Sequence, residues 1–276
     1  MAIDNNPLKQ YFRRPAIYIR LPSGGKGYGP EVLTVTETGE LPVYPMTAID
    51  EITIKTPDAL FNGEATAELI RSCLPNIKDP WAISSIDLDS ILVGIKVATG
   101  GQELEVNSTC PKCNEEGTYR INLVTLLGSM KAGDYEKELP IGDLVFKFKP
   151  LSYKEMNKAS LGQFDLQRTF MEISDLTDED EKRRKTKEAL VHITEVTMDV
   201  LSHTIEYIRT PAAQVSESEF ILDFLHHCDR NVYIQIRDYN ADLKRQTEIK
   251  PLQIVCVNCK HEYEQPFTLN TSDFFA

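Results

Sequence analysis

Four of the six cysteines in this chain stand as two Cys-x-x-Cys pairs, Cys110 with Cys113 and Cys256 with Cys259, while Cys73 and Cys228 are isolated. A Cys-x-x-Cys turn holds two sulfurs on one side of a tight loop, so each pair offers half of a tetrahedral shell with metal–sulfur distances of about 2.3 Å. Two halves close it. Four thiolates suit Zn2+, which has no geometric preference of its own and cannot change redox state; iron is the competing ion on ligand type. With every position taken by protein, no water is left to activate, so the ion is expected to be structural. A redox dithiol would place its motif at the start of a helix in a βαβ unit, and neither pair has that context; two independent pairs with no metal are the other alternative. His261 could replace Cys259, but four sulfurs complete the shell without it.

The spacing is unusual. Zinc ribbons separate their pairs by about 15–20 residues, whereas here the second pair begins 143 positions after the first. Each pair nevertheless has its own strand-like flanks. Glu103 to Val106 and Thr118 to Leu123 read as a hairpin whose tip is Cys110-Pro111-Lys112-Cys113, and Gln253 to Gln265 reads as a second strand, knuckle and strand. The pattern is that of a ribbon split by a long insertion.

Composition narrows the class. The 276 residues are 41% hydrophobic and 26% charged, ordinary values for a folded chain able to bury a core. Six cysteines in this length are too few for a dense disulfide framework. No run approaches the roughly 18 consecutive apolar residues of a membrane helix, and Met1 to Gln10 lacks an apolar signal core. The chain is therefore expected to originate in a cytosol, with no membrane partner. A net charge of −12 repels a phosphate backbone, which makes nucleic acid a poor partner.

Elements that would position the cysteines follow from periodicity and punctuation. Residues 1–46 read as an N-terminal β-meander, with strands at Ala16–Leu21, Glu31–Thr38 and Leu41–Tyr44, the first two joined by the loop Ser23-Gly24-Gly25-Lys26-Gly27-Tyr28-Gly29. Residues 47–101 read as helical: Thr47 caps a short helix, Thr56-Pro57-Asp58 opens another around Ala59 and Leu60, and Glu64–Leu74 and Asp87–Thr99 carry core-facing stripes. Cys73 is buried filler in the first stripe, and Trp81 is expected to pack between the two helices. Residues 102–125 plus 250–270 form the split ribbon, and 126–249 a mainly helical insertion. Within it, Leu139–Phe148 turns at Gly142-Asp143, and Ser152 with Glu155 opens a helix to about Ile173. Ser174–Lys187 is expected to be a solvated, mobile segment, with the Asp178–Lys187 charge run a solvated helix or loop, leading into a helix over Ala189–Tyr207. Ser216–Cys228 reads as helix; Asn231–Leu243 is ambiguous. The fold class is α+β.

Other candidate chemistry dissolves on inspection. The glycine-rich loop lacks the Gly-x-x-x-x-Gly-Lys-Ser/Thr pattern and runs into strand-like residues, so it reads as a hairpin loop and not a phosphate cradle. In His226-His227-Cys228, neighbours on a helix point about 100° apart, which is no geometry for a nucleophile and its base. Carboxylates are abundant without a spacing that singles out a pair. No catalytic constellation emerges, and the chain is read as a non-enzyme.

Taken in order, Ile17 to Gly29, Val43-Tyr44-Pro45-Met46-Thr47-Ala48, Lys55-Thr56-Pro57-Asp58-Ala59-Leu60, Asn62-Gly63-Glu64, Lys78-Asp79-Pro80-Trp81, Ile86-Asp87-Leu88-Asp89, Cys110-Pro111-Lys112-Cys113 and Phe148-Lys149-Pro150-Leu151-Ser152-Tyr153 resemble the baseplate hub assembly proteins of T-even-type contractile-tailed bacteriophages. The resemblance implies a structural component or assembly factor of the tail baseplate, made in the host cytoplasm and present in the virion tail if retained. Its partners would be other tail baseplate proteins, hub or wedge subunits. On this reading the loop around Gly25 and Tyr28 and the terminal Phe274 and Phe275 make contacts between subunits. Two other classes stand beside it: a zinc-ribbon nucleic-acid-binding module, disfavoured by Asn114-Glu115-Glu116 and His261-Glu262-Tyr263-Glu264 beside the knuckles, and a hub-associated hydrolase.

Overall fold

The computed structural model describes residues 6–56, 63–267, Leu269 and Phe274. The helix expected around Ala59 and Leu60, and Phe275, lie outside them. The chain divides into two compact units, the first made of residues 1–80, 87–130 and 249–276, the second of 81–86 and 131–248.

The first unit opens with β1 (Ile17–Ile19), which pairs antiparallel with β2 (Leu41–Val43) in the register Ile17↔Val43 and Ile19↔Leu41. The expected third strand at Glu31–Thr38 is absent among the described residues. This stretch instead meets the connection before Trp81: Leu33 forms a lone bridge with Ile77, Thr34 donates its N–H to the Asn76 carbonyl and Lys78 to that of Val32. Its hydrogen bonds are satisfied there, so no meander forms.

Helix α1 (Ala48–Ile54) starts where Thr47 and Asp50 make a reciprocal capping box. Arg13 ties the N-terminal segment to it, its guanidinium donating to the Pro45 carbonyl at 2.6 Å, to Ser72 O at 2.7 Å and to Asp50 at 3.3 Å. Helix α2 (Glu64–Cys73) buries Ala67, Leu69, Ile70 and Cys73, and α3 (Ser85–Gly100) buries Ile91, Leu92, Val93 and Ile95. Burial pushes the Cys73 thiol up to about 12, which suits the inert filler expected of it. Gly94 matters in α3: a Cβ there would stand 3.2 Å from two Ile19 side-chain carbons, so glycine lets β1 lie close on the helix. The ribbon hairpins, β3 (Glu103–Thr109) with β4 (Glu116–Asn122) and β9 (Leu252–Val255) with β10 (Glu262–Gln265), complete the unit, with the short helix α4 (Leu123–Ser129) following β4.

The second unit is built on an antiparallel sheet in the order β5 (Glu138–Ile141), β6 (Leu144–Phe148), β7 (Ile205–Arg209), β8 (Gln214–Val215). Helices α5 (Tyr153–Ser174) and α6 (Glu179–His203) form an antiparallel hairpin in which Lys158 meets Asp199 at 2.8 Å and Gly162 faces Val196. Helices α7 (Ser218–His227) and α8 (Arg230–Thr247) follow. The core gathers Phe146, Phe148, Leu201, Ile205, Ile208, Ile221, Leu225, Ile236 and Leu243. Trp81, expected between the helices of the first unit, is grouped here, its ring stacked on Tyr153 at 4.9 Å.

In this unit one sequence expectation is corrected and two open readings are decided. Of helix and loop, the charged run is helix from Glu179, where α6 begins, because Asp178 caps it by accepting from Asp180 and Glu181, and the Glu181–Lys185 and Arg184–Glu188 pairs sit at helical i, i+4 spacing. The helix stops at His203, and Ile205–Arg209 is a strand between β6 and β8. The ambiguous stretch after Cys228 is helix α8, capped by Asp229. The insertion is therefore helical but organised on a sheet. Among the described residues no helix is long and apolar enough to cross a membrane.

Candidate metal centre

The two knuckles are built alike. In the first, Asn114 N–H donates to the Cys110 carbonyl and Cys110 N–H to that of Glu115; in the second, Lys260 N–H donates to the Cys256 carbonyl and Cys256 N–H to that of His261. The residue after each second cysteine is left-handed, Asn114 at φ 55 and Lys260 at φ 56; among the described residues these are the two non-glycine residues with positive φ. That conformation is costly for lysine, and the turn imposes it.

These turns bring all four sulfurs within 4.8 Å of one another. The Cys110 and Cys259 sulfurs are 3.7 Å apart and those of Cys113 and Cys256 3.6 Å apart. A tetrahedron with metal–sulfur bonds of about 2.3 Å has edges of about 3.8 Å, so the donor set has the dimensions of a tetrathiolate site. Cys110 and Cys256 are buried, Cys259 half-buried and Cys113 exposed.

Charge favours a cation here. The backbone N–H groups of Cys259 and Asn258 point at the Cys256 sulfur and hold its thiol down to about 7. Cys113 is pulled down by the Glu115 backbone but pushed up further, to about 12, by desolvation of its sulfur and by the sulfurs around it. Four thiols this close cannot all lose their protons unaided. A divalent cation removes that conflict, which is why metal binding to thiols releases protons.

The inner faces of the hairpins complete the setting. Leu104, Val106 and Ser108 stand opposite Ile121, Tyr119 and Gly117; Leu252 and Ile254 stand opposite Gln265 and Tyr263. Ser108 Oγ donates to Gln265 Oε1 at 2.8 Å and lies 2.9 Å from the Tyr263 hydroxyl, joining one hairpin to the other. Sequence reading missed Ser108, Tyr119 and Tyr263; period-two alternation was the available signal, but it does not say which strands face each other.

The remaining candidates do not gather at the four cysteines. The glycine-rich loop folds over a carboxylate of its own chain: Ser23 donates to Asp87 through its N–H at 2.9 Å and its hydroxyl at 2.6 Å, and Tyr28 OH donates at 2.5 Å. Asp87 is fully buried. Gly25 is half-buried in this loop at φ 76, with Val35 packed close beside it. Phe274, expected to reach a neighbour, is only 5% exposed, with the Lys96 ammonium 5.7 Å over its ring. It is spent within its own chain. His227 faces Asp223 at 3.3 Å, and Cys228 gives its S–H to the Leu225 carbonyl.

The family model described as T4 bacteriophage base plate protein matches residues 15–276, a span that includes all four cysteines. No curated protein and no solved structure matches the chain.

Proposed function

Because the chain belongs to the T4 bacteriophage base plate protein family, we propose that it is a structural component or assembly factor of a contractile tail baseplate, working through contacts with hub or wedge neighbours and fastened by a structural zinc ion. The observation that carries the metal part is the convergence of four sulfurs within 4.8 Å from two knuckles of the same design. Cys110, Cys113, Cys256 and Cys259 would hold the ion, which supplies cross-linking and no reactive position. Thiolate–zinc binding in small folded peptides is worth about 10–16 kcal/mol at neutral pH, large against the stability of a whole domain.

A baseplate role needs durable surfaces more than chemistry. The loop Ser23–Gly29, pinned to Asp87 and with Lys26 and Gly27 exposed, is the contact surface retained here; Phe275 remains a candidate, and Phe274 does not. The acidic flanks Glu115, Glu116, Glu262 and Glu264 are exposed beside the knuckles, which speaks against a nucleic-acid ribbon. The virion tail is the place this reading assigns to the protein.

Two measurements test it. Elemental analysis of the purified protein should give one zinc per chain; wild-type protein of full purity with no metal, or with iron in its place, overturns the zinc assignment. Mass spectrometry of purified tails beside assembly intermediates should find the chain in one or both, and its absence from both overturns the baseplate role.

A further inference from the structure

One side chain beside the metal centre is conspicuous for what it lacks. The Tyr119 hydroxyl is sealed from solvent and is the one buried side-chain polar atom without a hydrogen-bond partner among the described residues. Buried hydroxyls are rarely left so. The Tyr263 hydroxyl, the Val257 backbone and Cys256 lie about it.

Its position is built in. A Cβ on Gly117 would fall 2.9 Å from the Tyr119 hydroxyl oxygen and 3.0 Å from the ring, so the absent side chain at Gly117 is what lets Tyr119 lean along β4 toward the knuckles. Gly117 is the cross-strand partner of Ser108. The hydroxyl therefore sits at the level of the contact between the hairpins.

Proton accounting then gives it a partner. Ser108 has one hydroxyl proton, and it goes to Gln265 Oε1. Between Ser108 and Tyr263 the donor must then be Tyr263. With its own proton committed, the Tyr263 oxygen can only accept, and Tyr119 can supply that bond. In the second knuckle the N–H groups of Asn258 and Cys259 serve the Cys256 sulfur, while the Val257 N–H lies toward Tyr119.

We propose that Tyr119 is a positioning residue of the metal centre, donating to Tyr263 and accepting from the Val257 N–H, so that a one-way chain runs from the second knuckle through Tyr119, Tyr263 and Ser108 to Gln265. The inference rests on the metal reading above. It makes ion capture and docking of the hairpins one event, since residues that orient a ligand-bearing loop act on metal affinity through geometry.

The test is a cobalt(II) titration of wild-type protein, Tyr119→Phe, Tyr263→Phe and the double variant, read by the thiolate-to-cobalt absorption, with zinc release to a chromogenic chelator measured in parallel. Each single variant should keep the four-sulfur spectrum while losing about 10–100-fold in affinity, and the double variant should lose no more than either single one. Equal affinity of Tyr119→Phe and wild type, or losses that multiply in the double variant, overturns the proposal while leaving the metal reading intact. Wild-type protein that binds neither ion overturns both. Should Tyr119→Phe prove insoluble, Ser108→Ala breaks the same chain without touching the ring and carries the same prediction.

Discussion

The sheet of the second unit and the split ribbon of the first are both small antiparallel structures, yet they are held by different means. In the sheet, Phe146 and Phe148 on β6 are 0% and 1% exposed and pack on Ile205 and Ile208 of β7 and on residues of three helices. In the four ribbon strands, the buried residues are Ser108 and Ile254. A two-stranded hairpin is marginal in water by itself. The ribbon hairpins have a thin core, so on the proposed zinc reading they depend on the four sulfurs and on the polar contacts between them, whereas the sheet depends on buried area. Metal dependence should accordingly be local.

The largest effect is expected from Cys256→Ser, which removes a buried ligand of the shell. Metal content should fall to background and soluble yield should drop, measured by elemental analysis and size-exclusion chromatography; a soluble variant with one zinc per chain breaks the comparison. Phe146→Ala is its counterpart in the sheet. It should cost about 3–5 kcal/mol in denaturant unfolding, as large aromatic truncations in packed cores do, with metal content unchanged.

A smaller effect separates the ribbon from the rest of its own unit. Burial raises the Asp89 carboxyl to about 6, so the folded state holds a proton that the unfolded state, with a pKa near 3.9, has already released above about pH 4. Stability therefore falls as pH rises from about 4 to about 6 and stays lower beyond it. Asp89→Asn should match wild type near pH 4 and exceed it by about 1–3 kcal/mol at pH 7, again without altering the metal; equal stability at both pH values contradicts the burial argument. The smallest effect is a gain. Gly162 lies within α5, and an added Cβ would meet Val196 at an ordinary 3.7 Å, so Gly162→Ala should raise stability by about 0.5–1 kcal/mol through helix propensity. A loss would show the α5–α6 packing to be tighter than its geometry indicates.

The gathering of the four cysteines was legible in the sequence because the two Cys-x-x-Cys pairs are chemically distinctive and locally spaced. Thr47, Ser152 and the cores of α2 and α3 were legible for a similar reason: caps and 3.6-residue stripes are local. What escaped depended on distance. The segment Glu31–Thr38 has strand-like residues, but its partner, Asn76–Lys78, is a connection with no strand signature of its own. Ile205–Arg209 continues the apolar pattern of α6 and turns into a strand only because β6 offers it a ladder. Ser108 and Tyr263 are 155 positions apart, and nothing near either residue announces the other. The burial of Phe274 in its own chain escaped as well, because an aromatic pair in the sequence says nothing about the face that receives it.

Hydrogen exchange on zinc-loaded and chelator-treated protein tests the central claim most directly. With the ion removed, amides of Glu103–Asn122 and Leu252–Gln265 should lose protection, while those of Leu144–Phe148 and Ile205–Arg209 keep theirs. Equal loss in both regions, or no loss in either, would contradict a staple that acts locally on the ribbon.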